Sequence, residues 1–415
     1  MALDGVHLEA ITTLVQTVDR PGRTRDRTEL AEHIWRDVLI DPPASIPMQP
    51  IEPAHRGQAS AESLALDRPR LEQVAAVDAG SLNPTTYQNG LVVDLAHAAM
   101  ATTPTDLDRH RSRSLVAAVH GPPLEVRSSG AWTSFDDGYG RSRLIAAPST
   151  YREEETAVHT LALEGAEVDH AVAHHTAEDD LMIMDGSVYP ASVLHWNDRE
   201  GALRESLHED DEPRRILTEA ASMVERCITH ETMVIGFVKN WTARGLISAL
   251  NDSDAIDTTM LPWPTDYGLF QQLLATSGER DELRWTSWFT MDFGVGSSMA
   301  ELLDRFDITT SLDNEAYRLG FMVIYDPREN VVFRVEAPLA VIGDERRRQA
   351  ITDHILAGVA IEAGPPPTLR KADALASIGR GERQVLRQTI AEHLGTTQVQ
   401  RFDQVRWSPS ESGGH

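Results

Sequence analysis

The chain has 415 residues, a formal charge of −26 and a single cysteine. That length allows one large core or two modest ones, and with no run of eighteen apolar residues no membrane-spanning helix is expected. Cys227 has no partner for an internal disulfide and Met1-Ala2-Leu3-Asp4 lacks the basic-then-apolar start of a signal peptide, so a reducing cytoplasm is the expected location.

Residues 6–40 read as helical, with Leu30, Ile34 and Leu39 near helical spacing, until Asp41-Pro42-Pro43 stops the pattern. A proline-bearing linker is expected to about residue 70. The first strand ends in Val77-Asp78-Ala79-Gly80-Ser81, and a second is expected over Leu91–Ala98. The turn formers of 82–90 predict a hairpin between them, and a third strand is expected near Ser114–Val119. Glutamates 153–155 suit the start of a long helix over about 149–175, whose apolar line is Val158, Leu161, Val168 and Val172. Another buried strand follows, Leu181-Met182-Ile183-Met184-Asp185, again closed by tiny residues, Gly186-Ser187.

Residues 196–213 read as a polar surface excursion, followed by a helix over 214–229 and a strand over Met233–Val238. A hairpin is expected from 321–325 and 331–335. Thr265-Asp266 should cap a helix at 269–273. Helices at 344–361 and 370–394 close the chain before a polar tail. This divides it into an N-terminal helical region and linker (1–69), a main domain (70–395) and the tail (396–415).

A hairpin, a third strand, a helix and a strand ending in Asp is the order of a ribonuclease-H-like α/β core, a mixed sheet flanked by helices. There the first and fourth strands lie side by side. Alone, Asp78 or Asp185 is an ordinary turn residue; side by side at a sheet rim, the two carboxylates suit a divalent cation, which takes several oxygen ligands. The helix before Asp185 offers a third in Glu164 or Glu167, with Glu164 nearer the apolar line. Only Lys239 and Lys371 are lysines, and Lys239 at a strand end is a candidate point charge for phosphate or carboxylate. Arg334 and Glu336 share one strand face, either toward a cleft, where they could touch a phosphate backbone, or toward water. His170, His174 and His175 have helical metal-ligand spacing without the H-E-x-x-H pattern, so a solvated helix end is expected.

Strong acidity with lysine almost replaced by arginine resembles the usage of salt-accumulating halophiles, in which dense carboxylates keep a surface hydrated while salt screens their repulsion. The acidity therefore does not exclude nucleic acid as a partner.

The ordered motifs resemble the archaeal NurA nuclease family over roughly residues 70 to 395. They are VDAGS (77–81), LMIMDGS (181–187), VIGFVKN (234–240), PTD (264–266), RVEAP (334–338) and PPPTLRKAD (365–373). The resemblance implies a ribonuclease-H-like fold and a homodimer around a DNA channel. It also implies Mn²⁺-dependent (or Mg²⁺-dependent) 5′–3′ exonuclease and single-strand endonuclease activity in DNA end resection, with a HerA-type hexameric ATPase as partner. Residue by residue, it carries metal ligation to Asp78, Asp185 and Glu164 or Glu167. The family's C-terminal Tyr and His positions match Pro365 and Asp373 here. An aspartate keeps an oxygen ligand at that place but not a neutral imidazole. The catalytic set is thus expected to be Asp78, Asp185, Glu164, Asp373 and Lys239, with Lys239 and Arg334 on DNA phosphates. The rival expectation is a non-catalytic dimeric adaptor that binds DNA and a translocating ATPase.

Overall fold

The computed structural model describes residues 4–17, 24–67, 71–121, 130–150, 153–253, 256, 261–275, 280–292 and 295–399. Its strands are β1 (Arg56–Ser60), β2 (Val74–Ser81), β3 (Thr85–Thr86), β4 (Val92–Thr103), β5 (Arg113–His120), β6 (Thr133–Phe135) and β7 (Gly140–Ala146). They continue with β8 (Leu181–Asp185), β9 (Met233–Val238), β10 (Glu282–Thr286), β11 (Phe289–Met291), β12 (Leu319–Asp326) and β13 (Val331–Pro338). All join one sheet in the order β1-β10-β12-β13-β9-β8-β2-β4-β5-β7-β6, with β11 on β12 and β3 on β4.

β2, β4 and β5 form an antiparallel meander. The helix Glu154–His174 then leads to β8, parallel to β2, and the helix Asp211–Thr229 leads to β9, parallel to β8. This is the ribonuclease-H-like arrangement expected from the strand order. On the far side of β9 the sheet continues through β13, β12, β10 and β1, each antiparallel to its neighbour. β9 and β12 are buried along their whole length, as strands covered on both faces must be. Val158, Leu161 and Val168 sit in the core as their spacing predicts, and Val172 packs at its margin.

Several elements differ from expectation. The 41–70 linker contains β1 and the helix Ala61–Asp67. Arg-Gly-Gln-Ala-Ser has no apolar alternation, and its strand character comes from β10, in the register Arg56↔Thr286 to Ser60↔Glu282. The described residues of the N-terminal region are helical as expected, over Gly5–Gln16 and Thr24–Ile34, and the second helix widens into a π-turn over Trp35–Leu39. The polar 196–213 segment holds the helix Ala202–Glu209, which buries Leu203 and Leu207 one turn apart. The last helix is broken into Pro367–Ala376 and Arg380–His393. Gly379 starts the second piece by donating its N–H to Glu382 Oε2 at 2.7 Å. The histidine group is not solvated: His170 is fully buried with Nδ1 2.9 Å from Ser114 Oγ, and the His175 side chain is 2 % exposed. Its helix end is covered because it packs between β5 and the Asp211–Thr229 helix.

Cys227 is buried, and burial pushes its thiol up to about 12, so it is a packing residue. No helix among the described residues is long and apolar enough to cross a membrane. Of the polar tail, Val399 donates its N–H to Thr86 O at 2.8 Å, and residues 400–415 lie outside the described residues.

Candidate metal centre

Parallel pairing in the register Val74↔Leu181 to Val77↔Met184 sets Asp78 beside Asp185. The tiny residues after each aspartate have different duties. A side chain at Gly80 would collide with the carbonyl of Ala376, so Gly80 lets the Pro367–Ala376 helix seat on β2. Gly186 turns the chain with φ +91°, and a Cβ on Gly236 in β9 would lie 2.6 Å from Gly186 O and Val188 N. The loop after Asp185 is therefore pressed flat onto β9. It is also tied from β13: Glu336, fully buried, accepts from the Ser187 hydroxyl and from Val188 N–H at 3.1 Å.

The helix seated by Gly80 carries Asp373 on its open side. One oxygen from each of Asp78, Asp185 and Asp373 lies within 4.8 Å of the others. Among the described residues no other group of three or more His, Cys, Asp or Glu side chains converges in this way. Asp78 is 8 % exposed, and its Oδ1 accepts Ala79 N–H at 2.7 Å. Burial, reinforced by the charge of Asp185, pushes its carboxyl up to about 8. Lys239 Nζ reaches Asp185 Oδ2 at 2.8 Å and Asp373 Oδ1 at 3.8 Å. Partial burial opposes the ammonium charge, but the carboxylates of Asp185, Asp373 and Asp78 outweigh it and hold the group above the usual lysine range.

The two helix glutamates separate. Glu164 Oε1 accepts Ser192 N–H at 2.8 Å, and burial pushes the group up to about 7, opposed by Ser192 and by the charge of His159. Glu167 is raised well above the usual range by burial and then by the charges of Asp78 and Asp185. Its Oε1 is buried without a hydrogen-bond partner. Glu164 Oε2 is likewise without a partner, so the orphaned oxygen does not separate the two; the charges of Asp78 and Asp185 do, and with Glu167 those carboxylates make a donor set for a hard divalent cation. Glu167, rather than the slightly preferred Glu164, feels the Asp78–Asp185 pair.

Arg334 faces neither a cleft nor water. It is 8 % exposed, pairs with Glu336 at 3.0 Å and stacks 5.2 Å from the Trp241 ring centroid. A phosphate has no access to a guanidinium held this way, so the phosphate contact expected of Arg334 is not supported. Thr265 caps the Asp266–Leu274 helix by accepting from Gly268 N–H, and Asp266 accepts from Leu246 and Ile247 N–H at the start of a second helix.

A family model described as the NurA domain matches residues 72–378. The chain belongs to the NurA family. Among solved structures, the NurA nuclease from Sulfolobus solfataricus is similar at 12 % identity and a TM-score of 0.48, over 98 % of this chain and 100 % of that one. A crystal structure of NurA bound to dAMP and manganese is similar at 12 % identity and a TM-score of 0.46, over 97 % and 99 %. Endonuclease V from Streptomyces avermitilis is similar at 11 % identity and a TM-score of 0.26, over 80 % and 90 %. No curated protein matches in sequence.

Sequence reasoning reached Asp373 of this NurA-family chain only through the C-terminal motif, because the residue is distant in sequence from both strand aspartates. It missed the role of Glu336 in fixing the Ser187 loop, and it missed the pairing of buried Asp94 with His159. The one available signal for Asp94 was a carboxylate inside the apolar run Leu91–Ala98.

Proposed function

We propose that this chain is a metal-dependent DNA nuclease, and the observation that carries the reading is the convergence of Asp78, Asp185 and Asp373 next to the orphaned oxygen of Glu167. Asp78, Asp185, Asp373 and Glu167 would hold Mn²⁺ or Mg²⁺, with Glu164 in a supporting place. A bound divalent ion lowers the pKa of water and neutralises charge on the phosphate under attack. The protein's own groups hold and orient. β2 and β8 fix two carboxylates in register, the Ser187 loop is clamped by Glu336, and Lys239 is a fixed positive charge at the edge of the acidic cluster where a strand phosphate would lie.

Family membership supports DNA as the substrate. By the same resemblance the proposal extends to 5′–3′ exonuclease and single-strand endonuclease activity in end resection and double-strand break repair, in the cytoplasm. It extends likewise to a homodimer working with a HerA-type hexameric ATPase. Asp373 in the cluster supports catalysis over the adaptor reading, since the substituted position still presents an oxygen ligand.

The test is purified protein with single-stranded and 5′-recessed DNA in molar KCl plus Mn²⁺. Cleavage by wild type, abolished in the Asp78→Ala, Asp185→Ala double variant, is the expected result. Equal rates for the two proteins overturn the proposal, and Mn²⁺ titration showing no uptake with ATPase binding intact moves the reading to an adaptor.

A further inference from the structure

Asp94, in β4, has no exposed surface, yet it is ionisable and sits on the sheet face covered by the Glu154–His174 helix. Such a group needs partners. Asp94 Oδ1 accepts Leu95 N–H at 2.8 Å, and Oδ2 lies 2.7 Å from His159 Nδ1. The ring also approaches Ser81 Oγ, at 3.4 Å from the same nitrogen. Both contacts use Nδ1, so this is no nucleophilic triad. Nε2 is left for something outside the pair, and the His159 side chain is 36 % exposed.

The place of His159 relative to the metal centre follows from the elements that carry it. His159 precedes Glu167 by eight residues on one helix, ~12 Å along its axis. Ser81 follows Asp78 by three residues on β2, ~10 Å along the strand. β8 ends at Asp185 whereas β2 continues to Ser81, so the edge of β2 beyond Asp78 has left the β2–β8 ladder. On the helix covering this face, Glu167 lies toward the Asp78–Asp185 pair and His159 about two turns further along, beside Ser81.

We infer that His159, oriented by Asp94, is a positioning residue that holds a phosphate of the bound strand away from the cut. The inference rests on the nuclease reading of the Asp78–Asp185 site. With Nδ1 committed to Asp94, Nε2 is the ring atom left to donate to a phosphate oxygen. At the ~3.4 Å rise per nucleotide of a duplex strand, 10–12 Å corresponds to about three nucleotides, fewer where the strand is stretched. The held phosphate is therefore two to three nucleotides from the scissile bond.

The experiment uses single strands carrying one neutral methylphosphonate at successive positions, with cleavage followed in Mn²⁺ and binding in Ca²⁺. His159→Gln should weaken binding of the unmodified strand roughly tenfold, the size of one charge-assisted hydrogen bond. A methylphosphonate two to three nucleotides from the cut should slow wild type by a similar factor and His159→Gln no further, whereas elsewhere the two losses multiply. Asp94→Asn should behave like His159→Gln in the interference pattern, with each variant assayed well below its own melting temperature because removing either partner strips the buried pair. Losses that multiply at every position, or His159→Gln binding like wild type, overturn the inference. Wild type that binds but never cleaves instead overturns the nuclease reading, and the Ca²⁺ binding arm still decides the phosphate contact.

Discussion

Lys239 Nζ stands 2.8 Å from Asp185 Oδ2, so an ammonium occupies part of the space that the clustered carboxylates offer to a metal. It reaches Asp373 as well, at 3.8 Å. The side chain therefore has two opposite effects. In the metal-free protein it neutralises repulsion among Asp78, Asp185 and Asp373, and when a divalent cation arrives it must yield Asp185. Lys239→Met should tighten Mn²⁺ binding by several-fold in calorimetric titration while lowering the cleavage rate, because the positive charge available to phosphate is lost. A variant that weakens Mn²⁺ binding would show instead that Lys239 shapes the site rather than competes for it.

The acidic cluster is a source of instability until metal fills it. Asp78 is nearly buried, and burial together with the Asp185 charge holds its carboxyl at about 8. Asp78→Asn removes the cost of holding that carboxyl buried, whether as a charge or with a proton taken up on folding, and keeps the shape. The metal-free variant should melt higher than wild type, by roughly 2 °C for each kcal/mol gained in a chain of this size. Added Mn²⁺ should raise the melting temperature of wild type and leave the variant unmoved. A thermal scan with and without Mn²⁺ measures both.

Glu164 and Glu167 should part in the same assay. Glu167 is influenced by Asp78 and Asp185, whereas Glu164 binds Ser192 N–H. Glu167→Gln should weaken Mn²⁺ uptake at least tenfold. Glu164→Gln should cost stability through the Ser192 contact and change Mn²⁺ affinity much less. The reverse pattern would return the ligand role to Glu164.

These contrasts also mark where the sequence was legible. Asp78 and Asp185 were readable because each closes a buried apolar strand, and because the hairpin–strand–helix–strand order makes those strands neighbours. The split between Glu164 and Glu167 was not readable, since one helical turn separates them and the deciding partner, Ser192, lies in the short helix Ala191–Leu194 beyond β8. β1 was invisible for a related reason: Arg56–Ser60 has no pattern of its own and becomes a strand only against β10, more than 200 residues later. Arg334 misled because alternation along a strand tells which side chains share a face but not what covers that face. Here the cover is Trp241, with Glu336 alongside.

Arg334 accordingly belongs to stability rather than to DNA binding. Arg334→Ala leaves Glu336, which is fully buried, without its ionic partner beside the Ser187 loop. Breaking a buried pair on one side costs about 3–5 kcal/mol. Denaturant unfolding should show a loss of that order, whereas the salt dependence of DNA binding should keep its slope, since no phosphate contact has been removed.

The histidines at the opposite end of the long helix predict the acid limit of the fold. Burial holds His170 well below the usual histidine range, and burial, aided by the charges of Arg141 and Arg109, holds His174 at about 4. Both are neutral in the folded chain at a pH where the unfolded chain, with ordinary values near 6.5, already binds protons. The unfolded state therefore gains protons first as pH falls. Their contribution to stability is complete above about pH 6.5 and is lost progressively toward pH 4. The raised carboxyls of Asp78, Glu164 and Glu167 act in the opposite sense, because there the folded state takes the proton first. Burial opposes the Asp179 charge, but the nearby His175 ring and the hydrogen bonds from Arg109 outweigh it and hold the group at about 2, so its contribution is lost only below about pH 4. Comparing wild type with a His170→Gln, His174→Gln double variant isolates the histidines from both. The stability difference between the two proteins should change steeply between pH 6.5 and 4, wild type losing ground as pH falls, and should be flat above pH 7. A difference that is constant across the whole range would mean that the two rings are protonated in the folded chain as readily as in the unfolded one.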